Sequence, residues 1–129
     1  MYLEIPLRPF PAVRVNGKWW RFMPKAIEYH NKCKALRSAI LPHRQQIIES
    51  MIEGTYHIQF HFAMADSWSK KKKAEMNGKP MQQKPDNDNL FKAFCDSVFY
   101  EQEHNDCEIW NNAYSKHWWE EDKIIFISD

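Results

Sequence analysis

Residues 84–92 read Lys-Pro-Asp-Asn-Asp-Asn-Leu-Phe-Lys and thus hold two aspartates shortly before a lysine. If Asp86 and Asp88 are extended, their spacing of two residues places both carboxylates on one face of the backbone. A helix that begins near Asp88 brings Lys92, four residues later, to the same side. Free backbone N–H groups in a first helical turn tolerate negative charge. The pattern indicates two carboxylates and an ammonium group that point to one spot.

A third carboxylate, Asp106, follows the helix that we predict over 88–100. If the connection is short, Asp106 returns to the start of that helix. Hard divalent cations such as Mg²⁺ take carboxylate oxygens and water as ligands. A metal ion held in this way activates water and shields phosphate charge. The residues are therefore typical of a metal-dependent enzyme that acts on phosphate esters.

The same residues also have a purely structural interpretation. Asp and Asn before a helix commonly cap its N-terminus. Asp88, Lys92 and Asp96 are spaced at intervals of four, which suits a stripe of ion pairs along one helix face. Residue type and spacing leave the two interpretations open.

Charge is segregated along the chain although the net charge is only +1. Residues 8–37 hold eight Lys or Arg against one Glu, and residues 66–84 hold six Lys against two acidic residues. Residues 86–108 reverse this, with seven Asp or Glu against Lys92 alone. A basic surface around an acidic pocket suits an enzyme that holds a divalent cation against a polyanion. The alternative is a solvated charge pattern without function.

Length and composition indicate one domain, residues 1–129, with one core. The chain has a mass of 15.6 kDa and 43% hydrophobic residues, which excludes wholesale disorder. Its apolar runs are far shorter than the roughly 18 residues of a membrane span. Three cysteines, an odd number without C-x-x-C spacing, argue against a disulfide framework or a four-cysteine zinc site and favour a reducing cytoplasm. We expect a cytoplasmic protein without a membrane partner.

Hydrophobic periodicity predicts a small α/β (α+β) domain with two main helices. Alternating residues predict strands at 2–7, 55–64, 107–118 and 123–128, and helical spacing predicts helices at 24–40 and 88–100 with a short one ending at Gly54. The polar, lysine-rich stretch 65–85 is predicted to be a mobile basic loop.

The run Pro85 to Leu90, with Lys92, Asp96 and then Asn105-Asp106, resembles the signature of the RusA family of Holliday-junction resolvases. This family is common in phages and prophages. Residues 66–72, Asp-Ser-Trp-Ser-Lys-Lys-Lys, are similar to a segment of many phage-type members, and the order of strands and helices agrees over nearly the whole chain. The resemblance implies a RusA-like fold built on a mixed sheet and a homodimer.

By this resemblance Asp86, Asp88 and Asp106 are the metal-binding and catalytic carboxylates, and Lys92 is the catalytic lysine. Lys92 would orient the phosphate, add positive charge in the transition state or protonate the leaving oxygen, and the sequence does not choose among these roles. The implied activity is Mg²⁺-dependent hydrolysis of four-way DNA junctions by paired symmetric nicks. Mn²⁺ is a possible substitute, and no small-molecule cofactor is expected.

Two points stay open at the site. The family often has two aspartates where this chain has Asn105-Asp106, so Glu103 and Glu108 are alternatives for the third carboxylate. The activity also has alternatives, namely a structure-selective DNA-binding module without catalysis and a broader nuclease of branched or flap DNA. We expect the DNA contacts to come from these residues: Arg14, Lys18, Arg21, Lys70, Lys71, Lys72, Lys73, Lys84 and Asn89.

Other conspicuous residues have structural interpretations. His57 and His61 share the spacing of a helical zinc pair, but on a strand their Cα atoms are roughly 13 Å apart, which disfavours one shared metal. Cys95 and Cys107 suit packing positions. The aromatic residues Trp19, Trp20 and Trp68 either stack on unpaired bases or pack in the core or an interface.

Overall fold

The computed structural model describes residues 1–13 and 23–129. Most of the strands and helices lie where the sequence patterns predict them. The strands are β1 (Tyr2–Ile5), β2 (Tyr56–Ala63), β3 (Tyr114–Trp119) and β4 (Lys123–Ser128). The α-helices are α1 (Pro24–Ile40), α2 (Arg44–Glu53), α3 (Lys70–Met76) and α4 (Asn87–Val98), and 3₁₀ turns lie at Leu41–His43 and Asp106–Glu108.

The four strands form one mixed sheet in the order β1-β4-β2-β3. β4 is antiparallel to both β1 and β2, whereas β2 and β3 are parallel, with Ile58 opposite Tyr114. Parallel neighbours need a crossover connection, and this one contains α3 and α4. The expected α+β fold with a mixed sheet is confirmed. The start of α4 therefore lies in the crossover that leads into the edge strand β3.

The core lies between the sheet and helices α1 and α4. The alternating residues Ile58, Phe60 and Phe62 of β2 are all buried, as predicted. From α4, Phe94 stacks on Phe126 of β4 with ring centroids 6.2 Å apart. Burial of one such side chain contributes about 1.5–3 kcal/mol. This packing fixes the rotation of α4, so that its polar stripe faces away from the core.

Helices α1, α2 and α4 each bury one face and expose the other. α1 is the longest, with 17 residues, and its bounds agree with the prediction. Cys33, Leu36 and Ile40 are buried, whereas Lys25 and Lys32 are exposed. Within 1–13 and 23–129, no helix combines the length and the apolar character that crossing a bilayer requires.

Gly54 ends α2 in the left-handed conformation, with φ 78°, as its position after the helical pattern predicts. A side chain is also excluded by space, because a Cβ atom here would lie 2.5 Å from the ring of Trp110. The Trp110 indole N–H donates to the carbonyl of Ile52 at 2.9 Å, and the Asn111 amide donates to that of Gly54 at 3.0 Å. These contacts fix the chain between Asp106 and β3.

The predicted loop over 65–85 contains a helix, so the prediction is wrong for α3. Ser69 caps this helix by accepting a hydrogen bond from the Lys72 backbone N–H at 3.1 Å. Four consecutive lysines give α3 no apolar stripe, and the periodicity that reveals other helices is absent. The mobility of the segment stays a prediction.

The residues after α3 pair with the edge strand β3. The backbone N–H of Gly78 donates to Trp118 O at 2.8 Å, and that of Met81 donates to Lys116 O at 3.1 Å. Pairing of this kind covers an exposed strand edge and satisfies its polar groups. The segment that precedes Asp86 is thereby tied to β3.

Three smaller predictions also need correction. The first strand ends at Ile5 rather than at residue 7, because Pro6 has no N–H for the ladder. The strand predicted from 107 begins only at Tyr114, since Asp106–Glu108 forms a 3₁₀ turn. Cys107 is exposed in that turn and is not a packing residue, whereas Cys95 is buried as expected.

Candidate active site at the start of helix α4

Asp86 immediately precedes α4 and has the extended backbone of an N-cap residue, with φ −66° and ψ 143°. Its carboxylate makes no capping hydrogen bond to the helix, so the interpretation of Asp86 as a side-chain cap is wrong. Asp88 lies in the first turn, and both residues are exposed. The positive end of the helix dipole stabilises negative charge at both positions. Two carboxylates thus lie at the solvent-facing start of α4.

Lys116 of β3 holds the turn that carries Asp86. Its Nζ donates to the backbone oxygen of Gln83 at 2.6 Å and to that of Pro85 at 2.8 Å. The Lys84–Pro85 peptide bond between these acceptors is cis. Burial lowers the pKa of Lys116, and the charge of Asp86 opposes this shift. The edge strand therefore supplies both an anchor and a positive charge beside Asp86.

Tyr114, the first residue of β3, lies beside the other carboxylate. Its ring stacks on Phe91 of α4 with centroids 4.4 Å apart. Burial raises the pKa of the Tyr114 hydroxyl, and the negative charge of Asp88 adds to this effect. Asp88 is therefore close enough to β3 for its charge to act there.

Lys92 connects α4 to the 3₁₀ turn that follows it. Its Nζ donates to Asp106 Oδ2 at 3.0 Å and lies 3.0 Å from Asp96 Oδ1. Burial lowers the pKa of Lys92, but the two carboxylates outweigh burial and the net shift is upward. The side chain is 47% exposed, so its charge is accessible to a ligand. Through Lys92 the structure brings Asp106 back to α4.

The 3₁₀ turn distinguishes Asp106 from the alternative carboxylates. Glu108 accepts from the backbone N–H of Asn105 at 2.9 Å and contacts His104 Nδ1 at 3.1 Å, as part of a capping box. The Asn105 N–H, followed by His104, lowers the pKa of Glu108. Glu103 is exposed on the same connection. Glu108 is engaged in holding the turn, whereas Asp106 faces Lys92.

The three predicted metal ligands do not form a ready-made metal site. Among residues 1–13 and 23–129, no group of three or more His, Cys, Asp or Glu side chains is arranged to hold one metal ion. The structure joins Asp106 to Lys92 and places Asp86 and Asp88 at the start of the same helix. The role of the three carboxylates as metal ligands stays a prediction.

The donor types at the start of α4 nevertheless fit a hard divalent cation. Asp86 and Asp88 offer exposed carboxylate oxygens. The side-chain oxygens of Asn87 and Asn89 are buried and have no hydrogen-bond partner within the described part of the chain. Mg²⁺ prefers such oxygen ligands and retains several waters. By chemistry, therefore, these residues suit the ion that the sequence predicts.

The predicted DNA-binding lysines of α3 differ in their surroundings. Lys70 and Lys71 are exposed, and Lys73 is half-buried. Lys72 Nζ lies 4.1 Å from the centre of the Trp68 ring, which packs edge-on against Trp118. Trp68 thus anchors the basic helix to β3.

The remaining predicted DNA contacts lie in several places. Lys84 is exposed in the turn before Asp86, and Asn89 is half-buried in the first turn of α4. Five residues lie outside the described ranges: Arg14, Lys18, Trp19, Trp20 and Arg21.

The strand histidines contact polar neighbours on the sheet. His57 Nε2 lies 3.0 Å from Ser115 Oγ on β3, and His61 Nε2 lies 3.0 Å from Gln59 Oε1. Both side chains lie on the face of β2 opposite the core residues Ile58 and Phe60.

Sequence reasoning did not identify Lys116 and Tyr29. Lys116 lies on the core-facing side of β3 with Tyr114 and Trp118. A lysine at a core-facing strand position is unusual, and this was the one feature of the sequence that could have marked Lys116 as functional. The Tyr29 hydroxyl donates to Asp96 Oδ2 at 2.6 Å, a contact that only the packing of α1 on α4 creates.

One known protein family matches nearly the whole chain, including the candidate site. A family model described as Endodeoxyribonuclease RusA matches residues 7–128. No curated protein and no solved structure matches the chain. The match extends over Asp86, Asp88, Lys92 and Asp106. The chain therefore belongs to the RusA family of endodeoxyribonucleases.

Proposed function

We propose that this protein is a metal-dependent endonuclease that cuts four-way DNA junctions by paired nicks in opposite strands. Membership of the RusA family supports a nuclease that acts on branched DNA. The observation that carries the proposal is the contact between Lys92 and Asp106. Lys92 lies on α4, the helix at whose start Asp86 and Asp88 lie, and Asp106 lies in the turn that follows α4. The contact gathers a cation and carboxylates from separate parts of the chain on one exposed surface.

Asp86, Asp88 and Asp106 are the proposed ligands of Mg²⁺, for which Mn²⁺ can substitute, and no small-molecule cofactor takes part. The ion supplies an activated water and neutralises phosphate charge when bound. Asp86 suits this role because its carboxylate is exposed and not used for capping. Lys116 holds the turn that presents it.

Lys92 acts in this proposal as a cation toward the phosphate at the cleaved bond. An ammonium group has three donors, and contacts with Asp96 and Asp106 occupy two of them. The third is left for a phosphate oxygen, on the exposed side of the group. A fixed positive charge there stabilises the negative charge that develops during in-line attack.

The basic residues supply affinity for the junction. Neutralised phosphates release counterions, which makes binding strong and salt-dependent without sequence preference. α3 and Lys84 precede the site in the chain and offer exposed ammonium groups. The proposed contacts are Arg14, Lys18, Arg21, Lys70, Lys71, Lys72, Lys73, Lys84 and Asn89.

Paired nicks require two active sites, so we propose a homodimer with two-fold symmetry. Sedimentation equilibrium of the free protein checks this, with a mass of twice 15.6 kDa expected. A phage or prophage origin and a cytoplasmic location in the bacterial host complete the proposal.

The test is cleavage of a four-way junction labelled in turn on each strand. We expect symmetric nicks with Mg²⁺ or Mn²⁺, none with EDTA, and far weaker cleavage of flap and linear duplex DNA. Asp88→Asn should abolish cleavage but retain binding. Glu121→Gln is the matched control, because it makes the same change in the exposed turn between β3 and β4. Binding without cleavage by the wild type contradicts the proposal, and equal cleavage of flaps favours a broader nuclease.

A further inference from the structure

We propose that Tyr29 and Asp96 are positioning residues that hold the ammonium group of Lys92 at the candidate active site. This inference rests on the proposed function, in which Lys92 contacts the phosphate. It assigns a role in the reaction to a residue of α1, a helix that contributes none of the predicted catalytic groups.

Four side chains form a continuous chain of contacts from α1 to the 3₁₀ turn. The Tyr29 hydroxyl donates to Asp96 Oδ2 at 2.6 Å, and Asp96 Oδ1 lies 3.0 Å from Lys92 Nζ. Lys92 Nζ in turn donates to Asp106 Oδ2 at 3.0 Å. Each oxygen of Asp96 therefore has its own partner, and the two contacts together fix the plane of the carboxylate. We call Tyr29, Asp96 and Lys92 the lysine brace.

Tyr29 is suited to fix this arrangement because its own position is fixed. Its side chain is half-buried, and its ring lies edge-on to that of the buried Phe10 with centroids 5.9 Å apart. A tyrosine side chain has only two rotatable torsions before its hydroxyl group. The hydroxyl thus connects Asp96 to the rigid core between α1 and α4.

Lys92 needs such support more than a buried lysine would. Its side chain is 47% exposed and its flexible stem has high rotamer entropy. A cation that stabilises a transition state must already lie in place when the charge develops. Asp96 and Asp106 restrain the ammonium group from two sides and leave its third donor available.

Because Asp96 and Lys92 of the lysine brace are partly exposed to solvent, their contact stabilises the fold little, and its main role is to position Lys92. Asp96 is 34% and Lys92 47% exposed, and ion pairs at such exposure contribute little to folding stability. A merely structural brace would show its effect in the unfolding transition. A positioning brace shows it in the rate of the chemical step.

The decisive variant is Tyr29→Phe, which removes one hydroxyl group and keeps the ring. Under single-turnover conditions with saturating protein, we expect the cleavage rate to fall about tenfold, as for loss of one positioning contact, while the Kd for the junction stays unchanged. In a Lys92→Met background the same change should cause no further fall, because the group it positions is gone. An unchanged rate for Tyr29→Phe overturns the proposal.

A matched control separates positioning from stability. Tyr56→Phe also removes a part-buried hydroxyl, one that donates to the backbone oxygen of Asn111 rather than to a member of the lysine brace. It should lower Tm about as much as Tyr29→Phe without slowing cleavage. If both variants slow cleavage equally, the effect of Tyr29 is structural and the inference is wrong.

A second readout does not depend on activity. The ¹³C relaxation order parameter of the Lys92 Cε group should fall in Tyr29→Phe and stay unchanged in Tyr56→Phe. If the wild type fails to cut any junction, the proposed function is wrong, and this measurement alone decides whether Tyr29 restrains Lys92. An unchanged order parameter in Tyr29→Phe overturns the brace.

Discussion

At the scale of single residues, Asp86 and Asp106 of the candidate site have different lysine neighbours. Asp86 has Lys116 as its cationic neighbour, and Asp106 has Lys92. The two lysines differ in turn, because Lys116 uses its ammonium group on backbone oxygens whereas Lys92 is partly exposed between carboxylates. One lysine thus maintains the shape of the site, and the other is the proposed contact to the phosphate.

This division predicts the effect of Lys116→Met. The change removes the hydrogen bonds to the backbone oxygens of Gln83 and Pro85, which costs about 0.5–1.5 kcal/mol of stability because the exposed Gln83 oxygen binds water instead. We also expect the single-turnover rate to fall at least about tenfold, since the Asp86 turn loses its anchor. Lys79→Met is the control, because it removes the same charge from an exposed position on the same segment. Equal rates for the two variants, measured at saturating protein, would exclude an anchoring role.

At the scale of elements, the sequence predicts those parts of the fold whose side-chain pattern repeats. α1, β2 and β4 have clear periodicity, and their observed bounds lie within a residue or two of prediction. The sequence did not predict α3, because four lysines form no apolar face. It did not predict the 3₁₀ turn at Asp106–Glu108 either, because local hydrogen bonds rather than an apolar pattern form that turn. Both missed elements are polar, so neither has the apolar repeat that periodicity detects.

The candidate site also has a predictable part and an unpredictable part. Asp86, Asp88 and Lys92 belong to one short segment, so spacing places them at the start of one helix. Tyr29 and Lys116 come from other elements, and only the packing of α1 and the register of β3 bring them to that helix. Local patterns predict groups within an element but not contacts between elements.

α3 is the element for which DNA binding can be tested most directly. Lys70 and Lys71 are exposed, whereas Lys72 lies over Trp68. The double change Lys70→Ala and Lys71→Ala should weaken junction binding and reduce the slope of log K against log salt by roughly 1 per lost phosphate contact. The corresponding double change to Arg keeps both charges and should keep the slope. Affinity titrations from low to high salt check this, and identical slopes for the Ala and Arg pairs contradict it.

At the scale of the whole molecule, the two faces of the sheet have different characters. One face packs on α1 and α4, while the other carries the polar side chains Gln59, His61 and His117. His61 is only 4% exposed, because Trp119 and His117 lie against its ring at 5.0 and 5.4 Å. A nearly buried imidazole within a polar face makes the stability of the whole fold depend on pH.

Burial, followed by the charges of His117 and Lys123, lowers the pKa of His61 from 6.5 to about 4. Below pH 6.5 the imidazole of the unfolded chain is protonated, whereas that of the folded chain binds its proton only near pH 4. The free energy of unfolding therefore falls by about 3 kcal/mol between pH 6.5 and about pH 4. Urea unfolding at pH 7.5, 5.5 and 4.5 measures this loss. His61→Gln should remove it, whereas His43→Gln, at an exposed position, should not. Because carboxylates titrate in the same range, the quantity that decides is the difference between each variant and the wild type. If that difference stays constant with pH for His61→Gln, the imidazole takes up its proton in the folded state and the sheet face tolerates the charge.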